Sequence, residues 1–331
     1  MIVKPDTYKK LVAIHKGKLI KIPNMILRKQ SSLDKQNKNL TKNSVCIVCN
    51  FRFLEDKMDW SPKVKAICHP FHDDSIFPKR IGRYLLSESD FCDKFVTSVK
   101  RDKRKYKYDF VYFTLNSREG TRSKGIYTLP LLDEVAGGLG LKGLVVDYST
   151  RETAKHKGTI YDTASKKIKS RMNSFKNFQI INGKLDSGKV CDVMMSSRFV
   201  FIPSDADASP RMIVESLVRD RPVVVNSAIY GGWKYVNDDT GSLFEAPTIE
   251  EFVKDYYKKD YEKSLKSAIE KALAIDVDSV SKSFYKDYGF VKSAKRLAGI
   301  INKITGKKYK AVVYEEWKKQ LSITGREKGW L

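Results

Sequence analysis

The sequence is poor in cysteine, histidine and acidic residues. It has 5 cysteines and 4 histidines among 331 residues, and a low, odd number of cysteines argues against a disulfide scaffold and for a reducing, cytosolic setting. No run of about 18 apolar residues occurs, so we expect no membrane-spanning segment. The first residues, from Met1 to Asp6, lack the apolar core of a signal peptide.

The shortage of acidic residues leaves a large positive charge. Lys and Arg number 63 against 39 Asp and Glu, which gives a net charge of +24. Such a charge attracts an anionic partner, whether nucleic acid, a phosphorylated small molecule or an acidic membrane face. The excess is concentrated in residues 1–50 (11 basic, 2 acidic) and 151–200 (11 and 4), whereas residues 201–250 are net acidic (4 and 8). At 41% hydrophobic residues the chain can form cores, which excludes a mainly disordered protein.

Short apolar runs alternate with helical stretches through the second part of the chain. Strands are predicted at 45–49, 64–68, 110–115, 143–147, 178–181, 199–202 and 222–226, and helices at 124–137, 250–274, 280–304 and 314–321. Apolar strands that alternate with helices indicate parallel strands joined by crossover helices. The sequence therefore predicts an α/β fold with a doubly wound domain.

A short acidic loop after the strand at 199–202 carries the clearest chemical signal. Ser209-Pro210 is a helix-start pair, with Ser at the N-cap and Pro at the first helical position. A helix that begins beyond the carboxyl end of a parallel strand lies where α/β sheets bind ligands, and its unpaired amides suit a phosphate. Asp207 and Glu215, eight residues apart, would repel phosphate, so we expect them to accept hydrogen bonds from sugar hydroxyls.

This stretch resembles the donor-site signature of GT-B glycosyltransferases, particularly glycosyltransferase family 4. The matching residues are Pro203-Ser204, Asp207, Glu215, Pro222-Val223-Val224, Gly231-Gly232 and Thr240-Gly241-Ser242-Leu243. The residues from Asp207 to Arg211, combined with those from Gly231 to Val236, are also similar to glycosyltransferase sequences of algae and large DNA viruses. Asp207 departs from the family pattern, which more often has Glu at that position.

The resemblance implies a role for each matching residue. Glu215 would contact the nucleotide ribose, and Asp207 would face the donor sugar as a catalytic residue. Arg118 and Lys124 resemble the pair that clamps the donor diphosphate, with Arg122 able to replace Arg118. The other donor-binding residues implied are Asn182 and Gly183 near the base, the backbone of Ser209, Pro210, Arg211 and Met212, and Gly231 and Gly232.

The resemblance also implies an architecture and a reaction. We expect two Rossmann-like domains facing a cleft: a reduced acceptor-side domain at 1–105, a nucleotide-sugar domain at 106–275, and helices at 276–331 that cross back to the first domain. The expected activity is transfer of a sugar, with retention and without a metal, from a UDP- or GDP-linked donor. The acceptor would be a hydroxyl of a glycan or glycoconjugate, anionic or membrane-associated. The expected location is the cytoplasm, peripheral at a membrane surface.

Two histidines leave alternatives open. His69 and His72 follow a predicted strand, where they would either face the sugar as catalytic residues or form an ordinary polar loop. Cys46 and Cys49 together with Cys68 suggest zinc, but residues three apart in a strand point to opposite faces. We therefore favour buried structural cysteines and predict no metal site.

Two other functions remain as alternatives. The charge suits a nucleic-acid-binding protein, although no helix-turn-helix, zinc-finger or RNA-recognition signature is present. A catalytically silent GT-B protein that binds carbohydrate is the second, because a fold does not determine a function. Each residue also has a purely structural alternative: Glu215 as a solvated helix carboxylate, Asp207 and Gly231-Gly232 as turn residues, and Arg118 and Lys124 as surface charges.

Overall fold

The computed structural model describes residues 12–15, 18–21, 24–27, 44–51, 60–71, 77–92, 105–114, 118–148, 157–183, 185–207, 210–257 and 259–306. Side chains are described within these ranges from residue 60 onward, apart from a few that include Arg118 and Arg122. The chain divides into two compact units, one formed by residues 1–97 and 285–331 and the other by residues 98–284.

The regular elements are numbered along the chain. The strands are β1 Val12–His15, β2 Lys18–Lys21, β3 Asn24–Leu27, β4 Ser44–Phe51, β5 Val64–His69, β6 Gly82–Leu85, β7 Tyr108–Thr114, β8 Gly143–Asp147, β9 Phe178–Asn182, β10 Ser197–Ile202, β11 Val223–Asn226 and β12 Gly241–Phe244. The α-helices are α1 Arg118–Lys124, α2 Leu129–Gly138, α3 Ile160–Arg171, α4 Ser187–Met195, α5 Arg211–Leu217, α6 Ile249–Lys254, α7 Tyr261–Ala274, α8 Val277–Asp287 and α9 Phe290–Thr305.

The larger unit is built on a six-stranded parallel sheet. Its strand order is β9-β8-β7-β10-β11-β12, and every neighbouring pair is parallel. β8 and β11 are buried along their whole length, as expected of strands covered on both faces. Phe110, Phe199, Phe201 and Phe244 are almost completely buried and join sheet and helices in one apolar core. The predicted doubly wound α/β fold is confirmed.

The smaller unit has its own parallel sheet. The order β3-β4-β5-β6 is parallel throughout, and β1 and β2 form a separate antiparallel pair. Helix α9 packs Leu297 and Ile301 into a cluster with Ala66 of β5. Its start is held to Asp90, whose carbonyl oxygen accepts hydrogen bonds from the Ser293 hydroxyl at 2.7 Å and from the Gly289 amide at 2.9 Å.

The predicted helices are more broken than the sequence indicates. The helix expected at 124–137 is α1, a 3-10 turn at Ile126–Thr128 and α2, separated by Gly125 at φ +66°. The helix expected at 250–274 is interrupted after α6, where Asp255 has φ +52°. The helix expected at 280–304 is two helices, α8 and α9, separated at Gly289, which has φ +87°. Strands β1, β2, β3, β6 and β12 were not predicted. The expected helix at 314–321 lies outside the described residues.

We predict that Gly143→Ala destabilises the larger unit. A Cβ at Gly143, at the start of β8, would overlap the ring of Phe110, which is buried in the core and cannot move away. The free energy of unfolding should fall by about 1–3 kcal/mol, measured by urea denaturation. Gly138→Ala is the control, because nothing lies within 4 Å of a Cβ there. Equal stability of the two variants would contradict this account of the β7–β8 contact.

Candidate functional site

The strand order places a crevice between β7 and β10. Relative to their order in the chain, the six strands run 3-2-1-4-5-6, so the chain leaves β7 toward one side of the sheet and leaves β10 toward the other. In doubly wound sheets ligands bind where this reversal occurs, outside the carboxyl ends of the strands. The segments that follow β7 and β10 therefore form the candidate site.

Gly125 brings these two segments together. Its φ of +66° lies in the left-handed region, and a Cβ at this position would overlap the carbonyl oxygen of Pro203. Only glycine fits both conditions. The preceding residue is anchored as well, because the Tyr112 hydroxyl of β7 donates to the carbonyl oxygen of Lys124 at 2.6 Å. The end of α1 is thus fixed against the loop after β10.

Lys124 and Asp207 form an ion pair in this crevice. The Lys124 Nζ donates to Asp207 Oδ2 at 2.8 Å, across 83 residues of sequence. The two side chains are 35% and 23% exposed. The pair is therefore accessible to a ligand, while its partial burial makes it stronger than an ion pair on the open surface.

Asp205, a second acid of the acidic loop, is hydrogen-bonded to Tyr127. Asp205 Oδ2 accepts a hydrogen bond from the Tyr127 hydroxyl at 2.9 Å, and Oδ1 is buried with no hydrogen-bond partner among the described residues. Burial raises the pKa of Asp205, and the hydrogen bond from Tyr127 opposes this rise. Asp205 and Tyr127 were missed from the sequence; the only available signal was that Asp205 lies in the acidic loop.

Helix α5 carries Glu215. It begins at Arg211, one residue later than predicted, because Pro210 has a non-helical ψ of 88°. Burial raises the pKa of Glu215, and the guanidinium groups of Arg211 and Arg219 partly offset the rise. Tyr148 directly follows β8. Burial is the main reason why its pKa is raised, and the negative charge of Glu215 raises it further.

The loop after β11 pairs with the acidic loop. The Gly231 amide donates to the Asp207 carbonyl oxygen at 3.0 Å, and the Tyr230 amide donates to that of Asp205 at 3.1 Å. Gly232 has φ +92°, and a Cβ there would overlap the Pro210 ring. The Gly-Gly pair therefore lets this loop lie directly against the start of α5.

Solved structures share this architecture, although neither a protein-family model nor a curated protein matches the sequence. The pneumococcal O-GlcNAc transferase GtfA, in complex with UDP and GlcNAc, aligns with a TM-score of 0.51 and 10% identity over 90% of this chain and 63% of its own length. The lipopolysaccharide outer core galactosyltransferase WaaB aligns with a TM-score of 0.53 and 11% identity, over 82% of this chain and 71% of its own. A glycosyltransferase from Rickettsia africae aligns with a TM-score of 0.51 and 14% identity, over 86% of this chain and 77% of its own.

The chain has the fold of the GT-B glycosyltransferases. At 10–14% identity this likeness concerns the fold. The chain spans less than two thirds of the length of GtfA. Resemblance to family 4 and to algal or viral sequences remains a prediction.

Several predicted residues of the GT-B donor site lie near the Lys124–Asp207 pair, and others do not. Pro210, Arg211 and Met212 begin α5, and Arg118 begins α1, although the Arg118 side chain is not described. Asn182 ends β9 and Gly183 follows it, and β9 is separated from β10 by β8 and β7. Ser209 lies outside the described residues.

The predicted histidines belong to the smaller unit. His69 ends β5 and is 3% exposed. Its ring lies 6.0 Å from that of Phe71 and 5.1 Å from that of Phe77, so it is part of an aromatic cluster. His72 is outside the described residues, and a catalytic role for either histidine remains a prediction.

The described residues offer neither a metal site nor a membrane-spanning helix. No three His, Cys, Asp or Glu side chains in them lie close enough to hold a metal ion. None of the helices described above is long and apolar enough to cross a membrane.

We predict that Gly125→Ala is much more destabilising than Gly158→Ala. Both glycines have a left-handed φ, +66° and +73°, but only Gly125 faces a close neighbour. The strain of a left-handed alanine should cost about 1–2 kcal/mol in either variant. The overlap with Pro203 should add about 1–3 kcal/mol in Gly125→Ala. Urea denaturation measures both, and equal losses would contradict the close approach.

Proposed function

We propose that this protein is a glycosyltransferase that transfers a sugar from a nucleoside-diphosphate sugar to an acceptor hydroxyl. The observation that carries the proposal is the Lys124–Asp207 pair at the reversal point of the sheet. A cation for phosphate and a carboxylate for sugar hydroxyls meet there, beside the helix of Glu215. The GT-B fold supports the proposal, as does GtfA, which was solved with UDP and GlcNAc.

Lys124 would stabilise the leaving group. In the reaction the bond between the anomeric carbon and the β-phosphate oxygen breaks, and its electron pair leaves with the nucleoside diphosphate. The acceptor oxygen forms the new bond to that carbon, and its proton passes to the departing phosphate. Negative charge thus grows on the diphosphate, where a fixed cation stabilises it most. Arg118 and the backbone amides of Ser209, Arg211 and Met212 would assist Lys124.

The carboxylates would bind hydroxyl groups. Glu215 would accept hydrogen bonds from the ribose, and Asp207 would accept them from the donor sugar once a diphosphate attracts Lys124. A hydrogen bond to a charged acceptor contributes about 1.5–3 kcal/mol. Gly231 and Gly232 would hold the loop after β11 against the acidic loop, and Asn182 and Gly183 would lie toward the base.

The finer features of the reaction come from the resemblance to family 4. We propose a UDP- or GDP-linked donor, retention of configuration, no metal, and a glycan or glycoconjugate as acceptor. The basic stretches at 1–50 and 151–200 suit an anionic or membrane-associated acceptor.

We predict that Lys124→Gln and Glu215→Gln each weaken binding of a nucleotide sugar about tenfold or more. Each removes one charge-assisted contact, and tenfold corresponds to about 1.4 kcal/mol. Isothermal titration with UDP-glucose, UDP-GlcNAc and GDP-mannose gives the Kd values. Lys266→Gln and Glu270→Gln are matched controls, because both side chains are exposed on α7.

The outcomes separate the alternatives. If no nucleotide sugar binds, and oligonucleotides bind with a steep salt dependence, the protein is a nucleic-acid-binding protein. If donors bind and the site variants match their controls, the proposed donor site is wrong. If donors bind but are neither transferred nor hydrolysed, the silent carbohydrate-binding alternative holds.

We predict that Glu215→Gln stabilises the unliganded protein at neutral pH while it weakens donor binding. The pKa of Glu215 is raised from 4.5 by burial, so Glu215 holds its proton more tightly in the folded protein than in the unfolded chain, and stability is lost as the pH rises from 4.5 through the raised pKa. The advantage of the Gln variant should therefore be absent below about pH 4.5. It should grow as the pH rises through the raised pKa and then stay constant.

Urea denaturation of both proteins between pH 4 and pH 8 measures this difference. Wild-type affinity for UDP-glucose should also decline as the pH falls through the same range, and the Gln variant should lack that decline. A parallel pH dependence of stability in the two proteins would refute the assignment.

A further inference from the structure

Tyr230 presents an aromatic ring at the edge of the candidate site. It is 47% exposed, and no ring contact or side-chain hydrogen bond holds it within the described part of the chain. Its own amide donates to the carbonyl oxygen of Asp205, and the next amide donates to that of Asp207. The ring therefore projects from a segment directly paired with the acidic loop.

The loop that carries Tyr230 is fixed at both ends. At its start, the Asn226 side chain donates to the Pro203 carbonyl oxygen at 3.2 Å and accepts from the Ala228 amide at 3.0 Å. At its end, Gly232 packs against Pro210. An exposed ring on a fixed backbone is a preformed surface, so a ligand that covers it loses little loop entropy on binding.

We propose that Tyr230 is a specificity-determining residue that stacks against the pyranose ring of a substrate sugar. A pyranose has a C–H face of low polarity and a rim of hydroxyls. An aromatic face matches the first, and carboxylates such as Asp207 match the second. The combination of an exposed ring and a carboxylate on two paired loops fits a sugar better than it fits a phosphate or a base alone.

This inference rests on the proposed function and narrows it to one residue. The pyranose can belong to the donor or to the acceptor, since both reach the carboxyl ends of the strands in a transfer reaction. The chemistry is the same in both cases. The experiment therefore has one arm for each source.

The donor arm compares nucleotide sugars with nucleoside diphosphates. Isothermal titration of UDP, UDP-glucose and UDP-GlcNAc against wild type, Tyr230→Ala and Tyr230→Phe gives the gain in affinity that the sugar provides. We expect Tyr230→Ala to lower this gain about three- to tenfold, which corresponds to about 0.7–1.4 kcal/mol, and to leave the Kd for UDP unchanged. Tyr230→Phe should retain the gain, because it keeps the ring.

The acceptor arm uses methyl α- and β-D-glucopyranoside as probes with UDP present. Saturation-transfer NMR should show contact between the sugar C–H protons and the wild-type protein, and Tyr230→Ala should lose it. Tyr256→Ala is the control in both arms: Tyr256 is 64% exposed, but its amide donates to the carbonyl oxygen of Glu251 in α6 and not to the acidic loop. Thermal unfolding should be the same for all variants, because the bonds that hold position 230 come from its backbone.

Loss in either arm supports stacking and identifies the sugar that stacks. If UDP binds and Tyr230→Ala matches wild type in both arms, the stacking proposal is wrong and the proposed function stands. If wild type binds no nucleotide or nucleotide sugar, both proposals fail. An equal loss in Tyr256→Ala would also overturn the role of Tyr230.

Discussion

The close approach of Gly125 to the Pro203 carbonyl is the contact on which the candidate site depends. It joins the end of the first crossover to the loop after β10, two segments that the sheet alone would leave as neighbours across a crevice. Because no Cβ fits between them, the backbone of Lys124 reaches close enough for its amine to meet Asp207 at 2.8 Å. The position of the cation is thus set by backbone packing, which is far stiffer than a lysine side chain.

The electrostatics of the site differ from those of the chain as a whole. The protein carries a net charge of +24, yet the acidic loop carries Asp205 and Asp207, and the helix that follows it, α5, carries Glu215. Burial raises the pKa of both Asp205 and Glu215, so the fold bears a cost for keeping carboxylates there. Such a cost is typical of a binding site, because ligand hydroxyls can supply the hydrogen bonds that the empty protein lacks. The basic exterior therefore says little about the chemistry of this crevice.

Apolar runs in the sequence predict the strands of the larger sheet well. Strands β7 to β11 lie within two residues of their predicted ends, because buried parallel strands need continuous apolar runs. The close approach at Gly125 could not be predicted, since its partner, Pro203, is 78 residues away. The Asp205–Tyr127 hydrogen bond spans the same distance in sequence and leaves no local pattern. Lys124 and Asp207 were identified separately through motifs, but their ion pair is visible only in three dimensions.

Two glycines help to hold the part of the acidic loop that the structure describes, residues 203–207. Gly125 lies directly against Pro203 at the start of the loop, and Gly232 lies against Pro210, just before α5. Proline restricts the backbone further at both positions. Backbone amides of the loop after β11 donate to the carbonyl oxygens of Asp205 and Asp207. Because these contacts hold residues 203–207, a ligand has little of their chain entropy to remove, and more of its contact energy remains for binding. Replacing either glycine would therefore disturb binding through the position of the carboxylates, even though neither glycine has a side chain with which to touch a ligand.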